Sequence, residues 1–182
     1  MNKLGTKRIE TERLILRRFA VDDADAMYRN WASDPAVTRY LTWQPHASVE
    51  DTRALLSDWV THYADGGYFE WVIERKGVGP IGSIGVVSLC EETLVAELGY
   101  CIGRPWWGQG LMAEAVKVVV DFLFDEVGVK RVIAKHDVEN PRSGCVMAKA
   151  GMHLEGVIRR GGRNNRGIID VVKYAVTRED RS

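Results

Sequence analysis

Trp107-Gly108-Gln109-Gly110-Leu111-Met112 joins an apolar segment, Glu97-Leu98-Gly99-Tyr100-Cys101-Ile102, to a run in which Leu111, Ala115, Val118, Val119 and Phe122 recur at helical spacing. This is the pattern of a strand that turns sharply into a helix. Glycines at 108 and 110 let the backbone turn and let a ligand approach without a side chain in the way. The helix that follows aims unpaired N–H groups and the positive end of its dipole at the turn, and phosphate is the natural guest there. The G-x-G spacing alone leaves a plain tight turn equally open. A P-loop would need Lys and Ser/Thr after the second glycine, and Leu111-Met112 stands there instead. A dinucleotide fingerprint tolerates Ala113 at its third position, but it wants an early strand, and this turn lies mid-chain.

Other residues able to do chemistry are few. Asn140 and Ser143 open a later helix, where Asn140 directly before Pro141 suits an N-cap. Glu97 and Glu70 lie on strand-like segments, and His136 ends one. Cys90, Cys101 and Cys145 lack metal spacing, and His46, His62, His136 and His153 are scattered, so no metal is expected. Twenty-five basic residues balance twenty-five acidic ones, which argues against a general nucleic-acid binder. No apolar stretch approaches a membrane span and the first residues are polar and charged, so a cytoplasmic protein with reduced thiols is expected.

At 182 residues one domain is expected, with a core over about 10–180. Alternation predicts a first strand over 14–19. Asp22-Asp23 opens a helix that Ser33-Asp34-Pro35 breaks, and Ser48-Val49-Glu50-Asp51 caps a second one closed by Gly66-Gly67. Strands follow over 68–75, 80–89 and 93–102, then the helix after Gly110 as far as about Val127. A short strand over 132–136, a helix from Pro141 to near Gly151, and strands over 153–160 and 168–176 complete the order β-α-α-β-β-β-α-β-α-β-β. Short turns make the middle strands antiparallel, and the crossover helix makes the fourth and fifth parallel. The expected fold is a mixed α/β (α+β) one, a mostly antiparallel seven-stranded sheet flanked by about four helices. A ligand cleft belongs where the pairing mode switches.

This order and these motifs resemble the GNAT superfamily of acyl-CoA-dependent N-acetyltransferases, and within it the branch that acetylates ribosomal-protein N-termini. The resemblance spans nearly all of 10–180. It is carried by Glu12-Arg13-Leu14-Ile15-Leu16-Arg17, Asp34-Pro35-Ala36-Val37-Thr38-Arg39-Tyr40-Leu41, Pro80-Ile81-Gly82-Ser83, Glu97-Leu98-Gly99-Tyr100, Trp107-Gly108-Gln109-Gly110, Asn140-Pro141-Arg142-Ser143 and Met147-Ala148-Lys149-Ala150-Gly151-Met152. The family's pyrophosphate motif, Q/R-x-x-G-x-G/A, is met with two departures, Trp107 and Met112. Met112 must therefore point into the sheet. The resemblance implies acetyl-CoA as co-substrate, held through Trp107, Gly108, Gln109, Gly110, Leu111 and Met112, with the strand backbone around Gly99-Tyr100-Cys101-Ile102, Cys101 and Ile102 above all, lending amides to the thioester carbonyl where the strands diverge. It also implies that Asn140 holds the pantetheine arm and that Ser143 supports the leaving sulfur. It admits a homodimer.

Acyl transfer needs a neutral amine, a polarised thioester carbonyl and an anchored cofactor. Direct attack would leave the three cysteines without a role. Glu97 is the first candidate for the base, ahead of Glu70 and His136. An α-amine of pKa about 7.8 is roughly 14% neutral at pH 7 and a lysine only about 0.04%, so an N-terminal acceptor needs a modest base. The 40–46 segment borders either the acceptor cleft or the core. Arg159, Arg160, Arg163 and Arg166 mark a hairpin loop that is either solvated or faces an acidic acceptor, the cofactor's 3′-phosphate or a partner subunit. Asp170 matches a family position without an assigned role. The expectation is acetylation of a primary amine, first an N-terminal alanine or serine of a ribosomal protein. Acetylation of a small amine (an antibiotic, polyamine or amino-acid derivative) and non-catalytic acyl-CoA sensing stay open as rivals.

Overall fold

The computed structural model describes residues 1–181. Eight strands form one sheet in the order β1-β2-β3-β4-β5-β6-β8-β7: β1 Ile9–Glu10, β2 Leu14–Arg17, β3 Glu70–Arg75, β4 Gly79–Cys90, β5 Val95–Ile102, β6 Arg131–Asp137, β7 His153–Asn164 and β8 Gly167–Thr177. Every pairing is antiparallel except that of β5 with β6. The extra strand relative to expectation is β1, whose two residues are too short to show a period. Five helices flank the sheet: α1 Ala24–Met27, α2 Pro35–Thr38, α3 Val49–His62, α4 Leu111–Phe122 and α5 Pro141–Lys149. Asp34-Pro35 starts α2 rather than merely breaking the chain, because the Asp34 carboxylate accepts from the Ala36 N–H at 2.9 Å and proline suits the first helical position. The first full strand ends at Arg17, and Phe19 turns into the core under α3.

Alternation along the strands separates two apolar layers. Ile84, Ala96, Leu98, Val132 and Ala134 face α4 and α5, where Leu111, Ala115, Val119 and Met147 meet them. Val72 faces the other way, toward Met27, Trp31 and Leu56 of the α1–α3 layer, and Cys101 packs against that layer too. Met112 is 5% exposed within the first layer, so its side chain leaves the turn clear.

The feature that matters for function is where β5 and β6 part. Their ladder runs from Val95 opposite Arg131 to Leu98 opposite Ala134 and stops. Beyond it β5 stays with β4 as far as Ile102, while β6 stays with β8 as far as Asp137. A V therefore opens from Gly99 onward. Val87 is an extra residue in β4 at this level, since Val86 opposes Leu98 and Ser88 opposes Glu97. Such a bulge bends and twists its strand. Val87 lies over Gly99, where a Cβ would stand 2.7 Å from its Cγ1.

Candidate active site

The turn between β5 and α4 carries the first part of the site. Gly108 and Gly110 both have φ of 76°, a conformation that a side chain disfavours. Gly110 caps α4 without any side-chain cap. The amides of Gly110, Leu111, Met112 and Ala113 have no acceptor within the protein among the described residues. Four adjacent donors at a helix N-terminus form an anion site that only an external acceptor can satisfy.

Side chains brace this turn rather than fill it. The Trp107 indole N–H donates to the Ile102 carbonyl at 2.8 Å, tying the loop to the end of β5. Arg13 donates to the Gln109 carbonyl at 3.0 Å and pairs with Glu114. Burial opposes ionisation of Glu114, but hydrogen bonds from Thr11 and Arg13 hold its pKa below the usual value. Arg75 reaches Gln109 Oε1 at 3.3 Å, and Arg142 lies over the Trp107 ring at 5.5 Å. Neither arginine has a carboxylate partner among the described residues, so both leave positive field for phosphates.

The second part is the start of α5. Asn140 occupies the N-cap position, yet its side chain makes no cap bond and has no partner among the described residues. It is left free for a ligand, contrary to the plainer capping reading. Ser143 Oγ lies 2.9 Å from the Tyr100 hydroxyl, which also donates to the Ser143 carbonyl at 3.1 Å. Burial drives the Tyr100 pKa well above its ordinary value, so the phenol stays protonated and can donate. Tyr100 is expected in the site only for its backbone; the role of its hydroxyl beside Ser143 emerges from the fold. α5 can press close to β6 because Gly144 has no side chain: a Cβ there would meet His136 Nε2 at 2.6 Å.

On the opposite face the structure sorts the three base candidates. His136 shares its face with Ala134, turned toward α5, and its Nδ1 lies 2.8 Å from the Asp137 carbonyl, so it is away from the acceptor side. Glu97 does face the acceptor side with Gly99 and Cys101, but Lys135 Nζ already holds its Oε2 at 2.9 Å. Glu70 lies on β3 in the row Glu70–Gly85–Gly99, at the level where the V opens. Its carboxyl has no hydrogen-bond or ionic partner among the described residues, and burial raises its pKa to about 8. Cys101 points to the same face, and burial raises its thiol to about 11. A thiol that stays protonated is a poor nucleophile, which agrees with direct attack.

The acceptor side is closed over. The expected arginine loop is mostly strand: β7 runs on to Asn164 through a bulge between Ile158 and Gly162, leaving the two-residue turn Asn165-Arg166. Asp170 has a role here, since its carboxylate accepts from the Arg160 N–H at 2.7 Å, where Arg160 has a φ of 49°. Asn165 then pins the turn to the loop between α2 and α3. Its Nδ2 donates to the carbonyls of Thr38 at 2.9 Å and Trp43 at 2.7 Å, and its N–H donates to Leu41 at 3.0 Å. A groove of about 470 Å³ runs along this junction, lined by Thr42, Gln44 and Arg163 among others. Below the turn, the fully buried Asp137 carboxylate accepts from Asn164 at 2.8 Å, Arg166 at 2.8 Å and the Glu139 N–H at 2.9 Å.

Known proteins are similar to this chain in sequence and fold. Residues 13–153 match the model of the acetyltransferase (GNAT) domain family. An N-acetyltransferase of Bacillus licheniformis, p20, is 30% identical over 171 residues, 93% of this chain and 96% of the relative. The ribosomal protein uS5-alanine N-acetyltransferase of Escherichia coli is 37% identical over 160 residues, 82% and 79% of the two chains. Among solved structures, an acetyltransferase of T. thermophilus superposes with a TM-score of 0.80 at 30% identity, over 96% of this chain and 90% of that one. A ribosomal L7/L12 α-N-protein acetyltransferase in complex with coenzyme A superposes at 0.83 over 94% and 98%, and at 22% identity it shows the shared fold. The unsatisfied turn amides and the free Asn140 carboxamide fit a coenzyme A, and no group of His, Cys, Asp and Glu among the described residues could hold a metal. The chain belongs to the GNAT acetyltransferase family and is an acetyl-CoA-dependent acetyltransferase.

Proposed function

We propose that this enzyme acetylates the α-amine at a protein N-terminus, with ribosomal proteins as the first acceptors to test. The carrying observation is the 37% identity over 160 residues with the uS5-alanine acetyltransferase. The chemistry supports it: an α-amine needs a weaker base than a lysine, and a single carboxyl can serve as that base. Such an acceptor would place the reaction in the cytoplasm, and no helix among the described residues is long and apolar enough to cross a membrane.

In this reading acetyl-CoA supplies the activated acyl group, and the chain's own residues position and polarise it. The amides of Gly110, Leu111, Met112 and Ala113 hold the pyrophosphate, aided by Gly108 and Gln109, while Trp107 keeps the loop against β5. The β5 backbone lines the V. Cys101, expected to lend a donor, turns its N–H toward β4 in register with Ser83, so the Ile102 N–H is the one that lends a donor to the thioester, worth about 3 kcal/mol in the transition state. Asn140 holds the pantetheine arm, and Ser143, oriented by Tyr100, supports the sulfur as it takes up the electron pair. Ser143→Ala is expected to lower kcat about tenfold with little change in KM for acetyl-CoA, because a thiol of pKa about 8.5 leaves readily without help. Glu97, held by Lys135, shapes the acceptor wall, and Glu97→Gln is expected to cost less than tenfold in kcat.

The test is thiol release from acetyl-CoA against peptides beginning with Ala or Ser and against small amines, including a polyamine. Turnover of the peptides with kcat/KM above that of every small amine supports the N-terminal reading. Turnover of small amines alone would overturn it.

A further inference from the structure

Two of the base candidates, Glu97 and Glu70, face the acceptor side, and among the described residues only Glu97 has a partner. The Glu70 backbone is clamped, with its N–H donating to Thr6 Oγ1 at 2.9 Å and its carbonyl accepting from the Tyr63 hydroxyl at 2.9 Å. Its side chain extends across Gly85, where a Cβ would collide with Glu70 Oε2 and stand 2.7 Å from Cδ. The next residue in this row is Gly99, where β5 leaves β6. The floor between Glu70 and the V is therefore two glycines, with Ser83 and Cys101 beside them on the same face and 3.5 Å apart through Oγ and Sγ. Neither Glu70 oxygen has a partner, yet neither is a sealed orphan: among the described residues the only buried, unpartnered side-chain nitrogen or oxygen is Trp31 Nε1. The carboxyl is crowded by protein but open to the cleft.

We infer that Glu70 is the residue that receives the acceptor's amine and takes its proton, in the acetyl transfer proposed above. The neutral amine attacks the thioester carbon, and the new C–N bond forms as an N–H proton passes to the Glu70 carboxylate. The C–S bond breaks with its electron pair left on sulfur, giving the amide, the CoA thiolate and a protonated Glu70, which then returns its proton to solvent. A carboxyl titrating at about 8 is matched to an α-amine of pKa about 7.8. A buried carboxylate with no cation of its own also prefers a cationic or hydrogen-bond-donating guest, so the substrate class is a primary amine with no acid beside it.

Glu70→Gln tests the inference, because it keeps shape and removes the proton acceptor. Three readouts are expected. The kcat/KM for an alanine-starting peptide falls about 100-fold or more, with KM for acetyl-CoA unchanged. The limb of the wild-type pH profile that rises toward about 8 disappears. The variant also melts at or above the wild-type temperature at pH 9: the folded chain holds a proton that the unfolded one has released, so Glu70 loses stability as pH rises from about 4.3 toward its folded value, and Gln does not. A merely structural Glu70 would give the opposite sign.

A second measurement does not depend on turnover. In protein labelled with carboxyl-13C glutamate and saturated with coenzyme A, the resonance missing from Glu70→Gln should shift saturably on titration with L-alaninamide. That shift in an enzyme that acetylated no amine would keep Glu70 as the amine site and overturn the acetyl-transfer reading instead. Wild-type turnover in the variant, or a resonance indifferent to alaninamide, would overturn the inference.

Discussion

Gly110→Val is expected to weaken acetyl-CoA binding by about 100-fold or more while the protein stays folded. Gly110 has a φ of 76°, where a β-branched residue is strained by at least about 1–2 kcal/mol. Space is not the obstacle, since the nearest atom to a Cβ would be Arg13 Nη2 at 3.7 Å. The loss is therefore local. The valine either moves the turn toward negative φ, re-aiming the amides of Gly110 to Ala113, or covers the surface that the phosphate must approach. Losing two charge-assisted hydrogen bonds of about 1.5–3 kcal/mol each accounts for the fold-change. Calorimetric titration with coenzyme A, beside a thermal melt, separates the effects. Unchanged affinity would remove the turn from the cofactor site.

Asp137→Ala should be the most destabilising change near the site, and the one that most disturbs the acceptor side. Its fully buried carboxylate accepts from the Glu139 N–H, Asn164 and Arg166, and Arg166 also lies over the Tyr40 ring at 5.8 Å. Removing it leaves a buried amide and an arginine without their acceptor, at a cost of about 3 kcal/mol, because Arg166 can partly resolvate. For a chain of this size that is a fall of about 6–12 °C in Tm. The turn at Asn165 should loosen from Thr38 and Trp43, so KM for the acceptor should rise more than KM for acetyl-CoA.

The pH dependence follows from the same carboxylate. Burial opposes its ionisation, but the hydrogen bonds from Glu139, Asn164 and Arg166 win and hold its pKa below the ordinary value. A carboxylate depressed in the folded state stabilises it fully above the unfolded value of about 3.9, and that stability is lost as pH falls through the folded value. Wild type should therefore lose its advantage over Asp137→Ala only in strong acid. An equal gap in Tm at neutral pH and in strong acid would contradict the network.

Much of this architecture was legible before the structure. Long elements announce themselves by period, as α4 does through Leu111, Ala115 and Val119, and the crossover fixes β5 and β6 as parallel. The turn was legible because glycines at 108 and 110 have few other uses there. The arginine-rich segment was not. Gly161-Gly162 and four arginines read as a loop, whereas the Asp170 bond to the Arg160 N–H keeps the chain in β7. The choice of carboxylate was also out of reach. Glu97 and Glu70 look alike along the chain, and only the sheet brings Lys135 to one and two glycines to the other. The role of the Tyr100 hydroxyl was hidden for the same reason, since its partner Ser143 lies 43 positions away.

The most direct test is to mix the enzyme with isotopically labelled acetyl-CoA, an alanine-starting peptide with a free α-amine, the same peptide with that amine blocked and a lysine free, and a polyamine. Mass spectrometry then locates the label. The account predicts label on the free α-amine first, with none retained on the enzyme's own cysteines. Label confined to the lysine, to the polyamine or to a cysteine of the enzyme would contradict it.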